Sequence, residues 1–123
     1  MGLRMDHLKK RADFLRAARG VRRVMPSLTL ETCPSPETGE IVRVGFTATK
    51  KLGNAVTRNR AKRRLRAAAA AVLPLSGKAG HDYVLVARPG TLTRAFASLT
   101  EDLAAAIAAA HLKQANPKAG ERS

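Results

Sequence analysis

The fold is decided by residues 41–73, which read IVRVGFTATKKLGNAVTRNRAKRRLRAAAAAVL. Residues 41–49 alternate between apolar side chains and small or polar ones, and a period of two predicts a β-strand. After a turn at residues 50–53, residues 55–73 have the composition of a helix that ends before Pro74. This stretch therefore predicts a strand, a turn and a long helix in succession.

The predicted helix has two faces of very different character. At 100° per residue, its apolar residues cluster within about a third of the circumference, and they are Ala61, Leu65, Ala68, Ala69 and Val72. The remaining surface is basic or amide-bearing. The helix N-cap is either Asn54 or Thr57, since both side chains can accept a hydrogen bond from a free backbone N–H. One face is thus predicted to pack on a sheet and the other to carry positive charge.

The flanking sequence predicts four further elements. The first is an amphipathic helix at residues 8–19, with Leu8, Ala12, Leu15 and Ala18 on its apolar stripe. Two strands are predicted, one at 21–32 and an apolar one, covered on both faces, at 81–87. The last is a helix at 93–111, with Phe96, Leu99, Leu103, Ile107 and Ala110 facing the sheet. The first two strands are expected to pair as an antiparallel hairpin. The order helix, two strands, helix, strand, helix predicts an α+β two-layer sandwich, one domain at residues 1–112 followed by a flexible tail at 113–123.

Composition excludes several classes of protein. The 123 residues suit one domain, and no apolar run approaches the roughly 20 residues that span a bilayer. The basic start is not followed by a signal-peptide core, so a cytoplasmic location and no membrane partner are expected. The single Cys33 cannot form an internal disulfide, and the three histidines lack ligand spacing. Nucleotide-binding and acyl-transfer motifs are absent from the sequence.

Charge is concentrated in one third of the chain. The net charge is +14, and residues 41–81 hold ten Lys and Arg residues but no Asp or Glu. Unpaired arginines of one sign are suited to phosphate oxygens, which they can bind bidentately. Gly53, which precedes a helix N-terminus and follows Lys50 and Lys51, suggests an additional phosphate pocket. The pattern predicts a nucleic-acid partner, and RNA is favoured because no duplex-DNA reading motif is visible.

The segment KKLGNAVTRNRAKRRLR at residues 50–66 closely resembles the signature of the bacterial ribonuclease P protein family, whose core is an Arg-Asn-Arg motif. The resemblance extends to residues 8–14, 43–45 and 82–88. It implies a ribosomal-protein-S5-domain-2-like fold in which a left-handed crossover joins two parallel strands through the basic helix. Handedness rules alone would favour a right-handed connection.

The same resemblance implies a function. Family members are protein cofactors of a large catalytic RNA, and the complex removes the 5′ leader of precursor tRNA by hydrolysing a phosphodiester bond. The RNA subunit supplies the active site and holds most of the Mg²⁺, one protein per RNA is expected, and no catalytic or metal-binding residue is expected in this chain. The residues implied to contact the catalytic RNA are Lys50, Lys51, Asn54, Arg58, Asn59, Arg60, Lys62, Arg63 and Arg66.

A second implied surface is a cleft between the first helix and the sheet, which binds the single-stranded leader. Phe14 matches the family's cleft aromatic, although a core position is the ordinary expectation for a phenylalanine. Ala18 stands where many relatives carry another aromatic, so leader binding is expected to depend also on the basic residues Lys10, Arg11 and Arg43. Whether the face of Val44 and Phe46 lines the cleft or the core stays open.

Two other functions fit parts of the pattern. A ribosomal or other structural RNA-binding protein would share the composition but would need no substrate cleft. A self-sufficient nuclease would need convergent acidic residues to hold metal ions, and none of the nine acidic residues lies in the basic third. Preference for leader-bearing over mature tRNA distinguishes the cofactor from the structural protein.

Overall fold

The computed structural model describes residues 4–35 and 39–115. The elements, in chain order, are β1 (Arg4–His7), α1 (Arg11–Ala18), β2 (Val21–Val24), β3 (Leu28–Pro34), β4 (Ile41–Thr47), a 3₁₀ turn (Lys50–Leu52), α2 (Ala55–Ser76), β5 (His81–Ala87), α3 (Pro89–Thr93) and α4 (Phe96–Ala115). The α+β class is confirmed. Strand β1 was not predicted, because its four side chains are all exposed and show no apolar alternation.

The strands form one mixed sheet in the order β1-β4-β5-β3-β2. Strand β4 runs parallel to both β1 and β5, whereas β3 runs antiparallel to both β5 and β2. The predicted hairpin between the strands at 21–32 and 41–49 is therefore wrong, because β5 inserts between β3 and β4. The parallel β4–α2–β5 connection agrees with the crossover implied by the family resemblance, and its left hand stays a prediction.

The segment predicted as one strand at 21–32 is two strands with a tight turn between them. The backbone N–H of Met25 donates to the Leu28 carbonyl (2.8 Å), and Pro26 removes a donor that a continuous strand would use. The Ser27 hydroxyl donates to the Asp102 carboxylate (2.7 Å), and the Thr91 hydroxyl donates to the Ser27 carbonyl. The turn is thus held by both α3 and α4.

Helices α2 and α4 cover one face of the sheet and enclose the main core. The apolar stripe predicted for α2 is buried at every position, and Leu28, Leu30, Val42 and Val44 meet it from the strands. In α4, Leu99, Leu103, Ile107 and Ala110 are buried as predicted. Phe96 is 43% exposed, which contradicts its predicted core position, because it is the first residue of the helix.

Helix α1 lies on the opposite face of the sheet, so the helices are not confined to the single layer that a two-layer sandwich would have. It contacts β3 and β5 around a small cluster of Leu8, Cys33 and Val84. Only Ala17 is buried within the helix, while Ala12, Leu15 and Ala18 of the predicted stripe are exposed. The stripe was wrong because Leu8 lies outside the helix, which begins at Arg11, and the buried face centres on Ala17 and Phe14.

Two helices extend beyond their predicted ends. Helix α2 includes Pro74 and continues to Ser76, where the Gly77 N–H donates to the Leu73 carbonyl (2.8 Å). Proline in the last turn removes one hydrogen bond, and this loss does not end the helix. Helix α4 reaches Ala115, three residues into the segment predicted as a tail, and residues 116–123 lie outside the described residues.

Candidate RNA interface

The N-terminus of α2 is set by Asn54, which settles the choice between two predicted caps. The Asn54 Oδ1 accepts a hydrogen bond from the Thr57 N–H (2.9 Å). An α-helix supplies no partner to its first N–H groups, so those of Ala55 and Val56 are available at this end. The first turn contains no acidic residue, and Lys50 and Lys51 are exposed in the preceding 3₁₀ turn. This end of α2 therefore has the properties of an anion site.

Gly53 makes the turn before α2 possible. Its φ of 150° is one that other residues rarely adopt, and a Cβ there would lie 3.0 Å from the Thr57 side chain. The Arg58 Nη1 donates to the Gly53 carbonyl (3.4 Å), which draws the first arginine of the Arg-Asn-Arg motif back toward the turn. The lysines and the arginine motif are thereby brought to the same end of the helix.

The basic face of α2 turns away from the sheet. Asn59, Arg60, Arg63 and Arg66 are exposed, and Arg58 and Lys62 are half-buried. The other arginine of this helix, Arg64, has a structural role. Its guanidinium donates to the carbonyls of Leu92 (3.0 Å) and Arg94 (2.7 Å) and so ties α2 to the end of α3.

A cleft lies at the sheet edge between α1 and β4. It consists of two adjoining pockets of about 370 and 420 Å³ that share Phe14 and Phe46 as lining residues. The other lining residues are His7, Leu8, Val44, Gly45 and Arg66 in the first pocket, and Lys9, Arg11, Leu15 and Thr47 in the second. Strand β1 pairs with β4 only as far as Val44, and the cleft opens beyond this point.

Two phenylalanines lie on opposite sides of this cleft. Phe14 packs directly against the Gly45 backbone, where a Cβ would collide with its ring. Phe46 projects from the other face of β4, where it packs on the main core and has the Arg66 guanidinium 5.6 Å from its ring centroid. The open question about Phe46 is answered: it does both, because it lies at the edge where core and cleft meet.

The predicted cleft residues differ in where they lie. Phe14 and Arg11 line the cleft, whereas Lys10 is exposed at the N-cap of α1 outside the lining set. The guanidinium of Arg43 points under α1, where its Nε and Nη2 donate to both carboxylate oxygens of Asp82 (2.8 and 2.7 Å). Sequence reasoning missed Lys9 and His7 as lining residues because the end of β1 was not predicted.

An ion network joins α1 to the sheet beneath the cleft. Asp13 and Arg16 of α1 pair with each other (3.0 Å), Arg43 lies 3.5 Å from Asp13, and Arg16 lies 3.3 Å from the fully buried Asp82. Arg43 and Asp82 are direct cross-strand partners of β4 and β5. Burial is the main cause that raises the pKa of the neighbouring Cys33 thiol, and the Asp82 carboxylate adds to it.

Comparison with known proteins identifies this arrangement. The family model described as Ribonuclease P matches residues 3–111. The chain belongs to the ribonuclease P protein family. It is 50% identical over 111 residues to the ribonuclease P protein component of Paramagnetospirillum magneticum, covering 87% of this chain and 84% of that protein. It is 46% identical over 123 residues to that of Caulobacter vibrioides, covering 98% and 83%.

The fold of this ribonuclease P protein is also similar to that of a solved structure. It is a Staphylococcus aureus RNase P protein mutant with defective mRNA degradation activity, which superposes with a TM-score of 0.71 at 28% identity and covers 85% of this chain and 87% of that one. The family match makes the chain the protein subunit of ribonuclease P, the tRNA 5′-processing ribonuclease, whose partner is the ribonuclease P RNA. The alternative of a ribosomal or other structural RNA-binding protein is not favoured.

Proposed function

We propose that the basic face of α2 binds the ribonuclease P RNA and that the cleft between α1 and β4 binds the single-stranded 5′ leader of precursor tRNA. The observation that carries this proposal is the position of Arg66. This residue belongs to the basic face of α2 and also lines the cleft beside Phe46. The two surfaces therefore meet, and a leader in the cleft would lie next to the RNA that performs the cleavage.

Phosphate recognition explains the residue types on α2. Arginine forks bind phosphate oxygens bidentately, and helix N-terminal N–H groups favour anions. We propose that nine residues in α2 and the turn before it contact the catalytic RNA. They are Lys50, Lys51, Asn54, Arg58, Asn59, Arg60, Lys62, Arg63 and Arg66. Like charges four residues apart cost an isolated helix roughly 0.2–0.5 kcal/mol per pair, and phosphates on the partner would relieve this repulsion.

Base stacking explains the aromatic residue in the cleft. Phe14 is half-buried with part of its ring facing the pockets, and a flat ring can stack on an unpaired base of any identity for about 1–3 kcal/mol. Lys9 and Arg11 are exposed and line the cleft, Lys10 is exposed between them in the chain, and all three would pair with leader phosphates. Such contacts favour precursor tRNA over the mature product, since only the precursor has a leader.

The chemistry itself is assigned to the RNA subunit. Across residues 4–35 and 39–115, no group of three or more His, Cys, Asp or Glu side chains is placed to hold a metal ion. The donor set therefore does not fit protein-bound catalytic Mg²⁺, and we place this ion on the RNA.

The setting of the complex is a separate point. Across residues 4–35 and 39–115, no helix is both long and apolar enough to cross a bilayer. We further propose a cytoplasmic complex with one protein per RNA.

A two-way comparison of variants tests the proposal. Arg58→Ala combined with Arg60→Ala is expected to weaken assembly with the cognate ribonuclease P RNA, because two phosphate contacts are lost. Phe14→Ala is expected to leave assembly unchanged and to reduce the preference of the holoenzyme for precursor over mature tRNA by roughly 5- to 150-fold. Filter binding of labelled RNA and of both tRNAs measures these affinities.

Arg22→Ala is the matched control, because this exposed arginine lies on β2 at the far edge of the sheet. Arg22→Ala should change neither RNA assembly nor the preference for precursor tRNA by more than the general effect of losing one positive charge. Equal losses for all three variants in both measurements would contradict separate surfaces. Unchanged assembly of the double variant would remove the assignment of α2.

A further inference from the structure

We infer that Arg43 and Asp82 are positioning residues for the leader cleft, acting through Asp13 and Arg16 to fix the place of Phe14. This inference rests on the proposed function of the cleft and assigns a role to groups that do not line it. It also replaces the direct contact with the leader that the sequence suggested for Arg43.

Apolar packing alone holds α1 weakly on the sheet. The helix has eight residues and buries only Ala17 completely, while Leu15 is 45% exposed. Isolated helices of this length are unstable in water, so α1 depends on the contacts that attach it to the sheet. The ion network supplies such contacts, because it joins Asp13 to Arg43 of β4 and Arg16 to Asp82 of β5.

The ion network holds Arg43 in a defined geometry. Arg43 is 19% exposed and binds both oxygens of a carboxylate that is 0% exposed. Its Nη2 also donates to the buried Ser35 hydroxyl (3.0 Å), which accepts a second hydrogen bond from Arg16 (3.1 Å). A bidentate arginine with these partners is held in one orientation. Its outer edge therefore presents a fixed positive group to Asp13.

The ion network lies next to Phe14 in the chain. Asp13 immediately precedes Phe14, whose ring rests against Gly45 and lines the cleft. A rotation or shift of α1 moves the ring relative to β4, and stacking is sensitive to such displacements. Fixing Asp13 fixes the start of α1 and hence the ring.

The sign of a charge effect separates this inference from simple electrostatics. The chain carries a net charge of +14, so removing a carboxylate increases its attraction to RNA. A positioning role predicts the opposite result for Asp13→Asn. Glu101→Gln is the matched control, because it makes the same charge change at an exposed site on α4, across the sheet from α1.

The experiment uses the holoenzyme reconstituted with its cognate RNA. Asp13→Asn is expected to reduce the preference for precursor over mature tRNA by at least about fivefold. The reduction should not exceed the loss seen for Phe14→Ala, which is expected to be roughly 5- to 150-fold. KM for precursor should rise while the single-turnover rate at saturation stays unchanged. Asp13→Glu should restore most of the preference, and assembly with the RNA should stay within about twofold in every variant.

A second variant addresses Arg43 itself. Arg43→Lys keeps the charge but loses the bidentate fork, so it should resemble Asp13→Asn if Arg43 positions α1 and should behave as wild type if it only attracts the leader by charge. Precursor tRNA carrying 2-aminopurine at successive leader positions reports stacking directly. Its fluorescence should be quenched by the wild-type holoenzyme and less so by both variants.

The inference is overturned if Asp13→Asn binds precursor as tightly as Glu101→Gln does. It is also overturned if Asp13→Asn fails to assemble with the RNA, since the network would then support the whole fold rather than the cleft. If Phe14→Ala itself keeps the preference for precursor, the proposed leader site is wrong. If only Phe14→Ala loses that preference, the leader site stands and the positioning role fails.

Discussion

Gly45 is the residue on which the position of Phe14 depends. Its missing side chain leaves room for the ring, and a Cβ at this point would overlap the Cε1 and Cζ atoms of Phe14. The ring can therefore approach the strand closely and still line the cleft. At this scale the proposed leader site depends on a contact between one aromatic side chain and the backbone of one glycine.

Gly45→Ala is expected to displace the Phe14 ring. Overpacking of this kind costs typically about 1–3 kcal/mol of stability, and the displaced ring should lose its stacking on the leader. Thermal unfolding of the protein and precursor affinity of the holoenzyme measure the two effects. The double variant Gly45→Ala with Phe14→Ala should recover stability relative to additive losses, because the collision is gone. Additive losses would contradict this contact.

His111 links α4 to the sheet in a way that depends on its charge. The Tyr83 hydroxyl lies 2.6 Å from Nε2, and the Gln114 Oε1 lies 3.0 Å from Nδ1. Since the Lys78 N–H donates to the Tyr83 hydroxyl (2.8 Å), that hydroxyl is free to donate its own proton to Nε2. This arrangement suits the neutral imidazole with its proton on Nδ1, which donates to Gln114. Burial lowers the pKa of His111, and the charges of His81 and Lys78 lower it further.

Stability is expected to fall as the pH is lowered. A histidine with a depressed pKa in the folded state resists protonation there but takes up a proton readily when unfolded, so the free energy of unfolding decreases as the pH drops below about 6.5. Denaturant titrations at pH 7.5, 6.5 and 5.5 measure this decrease. His111→Phe should flatten the dependence, and an unchanged pH profile in this variant would exclude His111 as its source.

At the scale of elements, α2 combines a capped N-terminus with a basic face that we propose to bind RNA. Asn54 caps the helix by accepting from the Thr57 N–H, and we have also proposed it as a contact to the RNA. These two roles differ chemically, because a hydroxyl can replace the cap but cannot reproduce both donor and acceptor of the amide. Variants at the start of α2 can therefore separate the effect on folding from the effect on RNA binding.

Asn54→Ala is expected to lower stability by about 0.5–2 kcal/mol, whereas Asn54→Ser should retain most of it. If the amide contacts RNA, both variants should weaken assembly to a similar extent. If Asn54 acts only as a cap, Asn54→Ser should assemble as wild type does. Thermal unfolding and RNA titrations of the same two proteins give the answer.

Most of the helices and strands could be predicted from the sequence. Each segment with a strong period was found, including the α2 stripe, whose five predicted residues are all buried. Strand β1 escaped because Arg4–His7 carries no apolar signal and is defined only by its pairing to β4. The stripe of α1 was misplaced because so short a helix buries too few side chains to show its period.

For the whole molecule, pairing between distant segments was the least predictable feature. Consecutive strands were expected to be neighbours, and nothing local shows that β5 would separate β3 from β4. The same holds for Arg43, whose basic side chain suggested RNA but whose partner Asp82 is brought opposite it only by strand register. The α2 surface was accessible to sequence reasoning because its residues are contiguous in the chain.

The concentration of charge predicts a strong effect of salt on assembly. If roughly five to eight phosphates are neutralised, the logarithm of affinity for the RNA should fall with the logarithm of salt concentration with a slope of about −4 to −7. The double variant Arg58→Ala with Arg60→Ala should reduce the magnitude of this slope by about 2. Titrations at several KCl concentrations measure it, and a slope near zero would contradict an electrostatic interface.

The middle of the sheet is made from the last strand in the chain. Strand β5 bonds to β4 on one side and to β3 on the other, and α2 precedes it. During synthesis, the pairs β1–β4 and β2–β3 therefore leave the ribosome before the strand that hydrogen-bonds to both of them. The basic helix α2 also leaves the ribosome before the sheet on which it packs is complete. Vectorial folding of this chain must wait for residue 87, so a nascent chain stalled earlier would expose its basic helix without a native core.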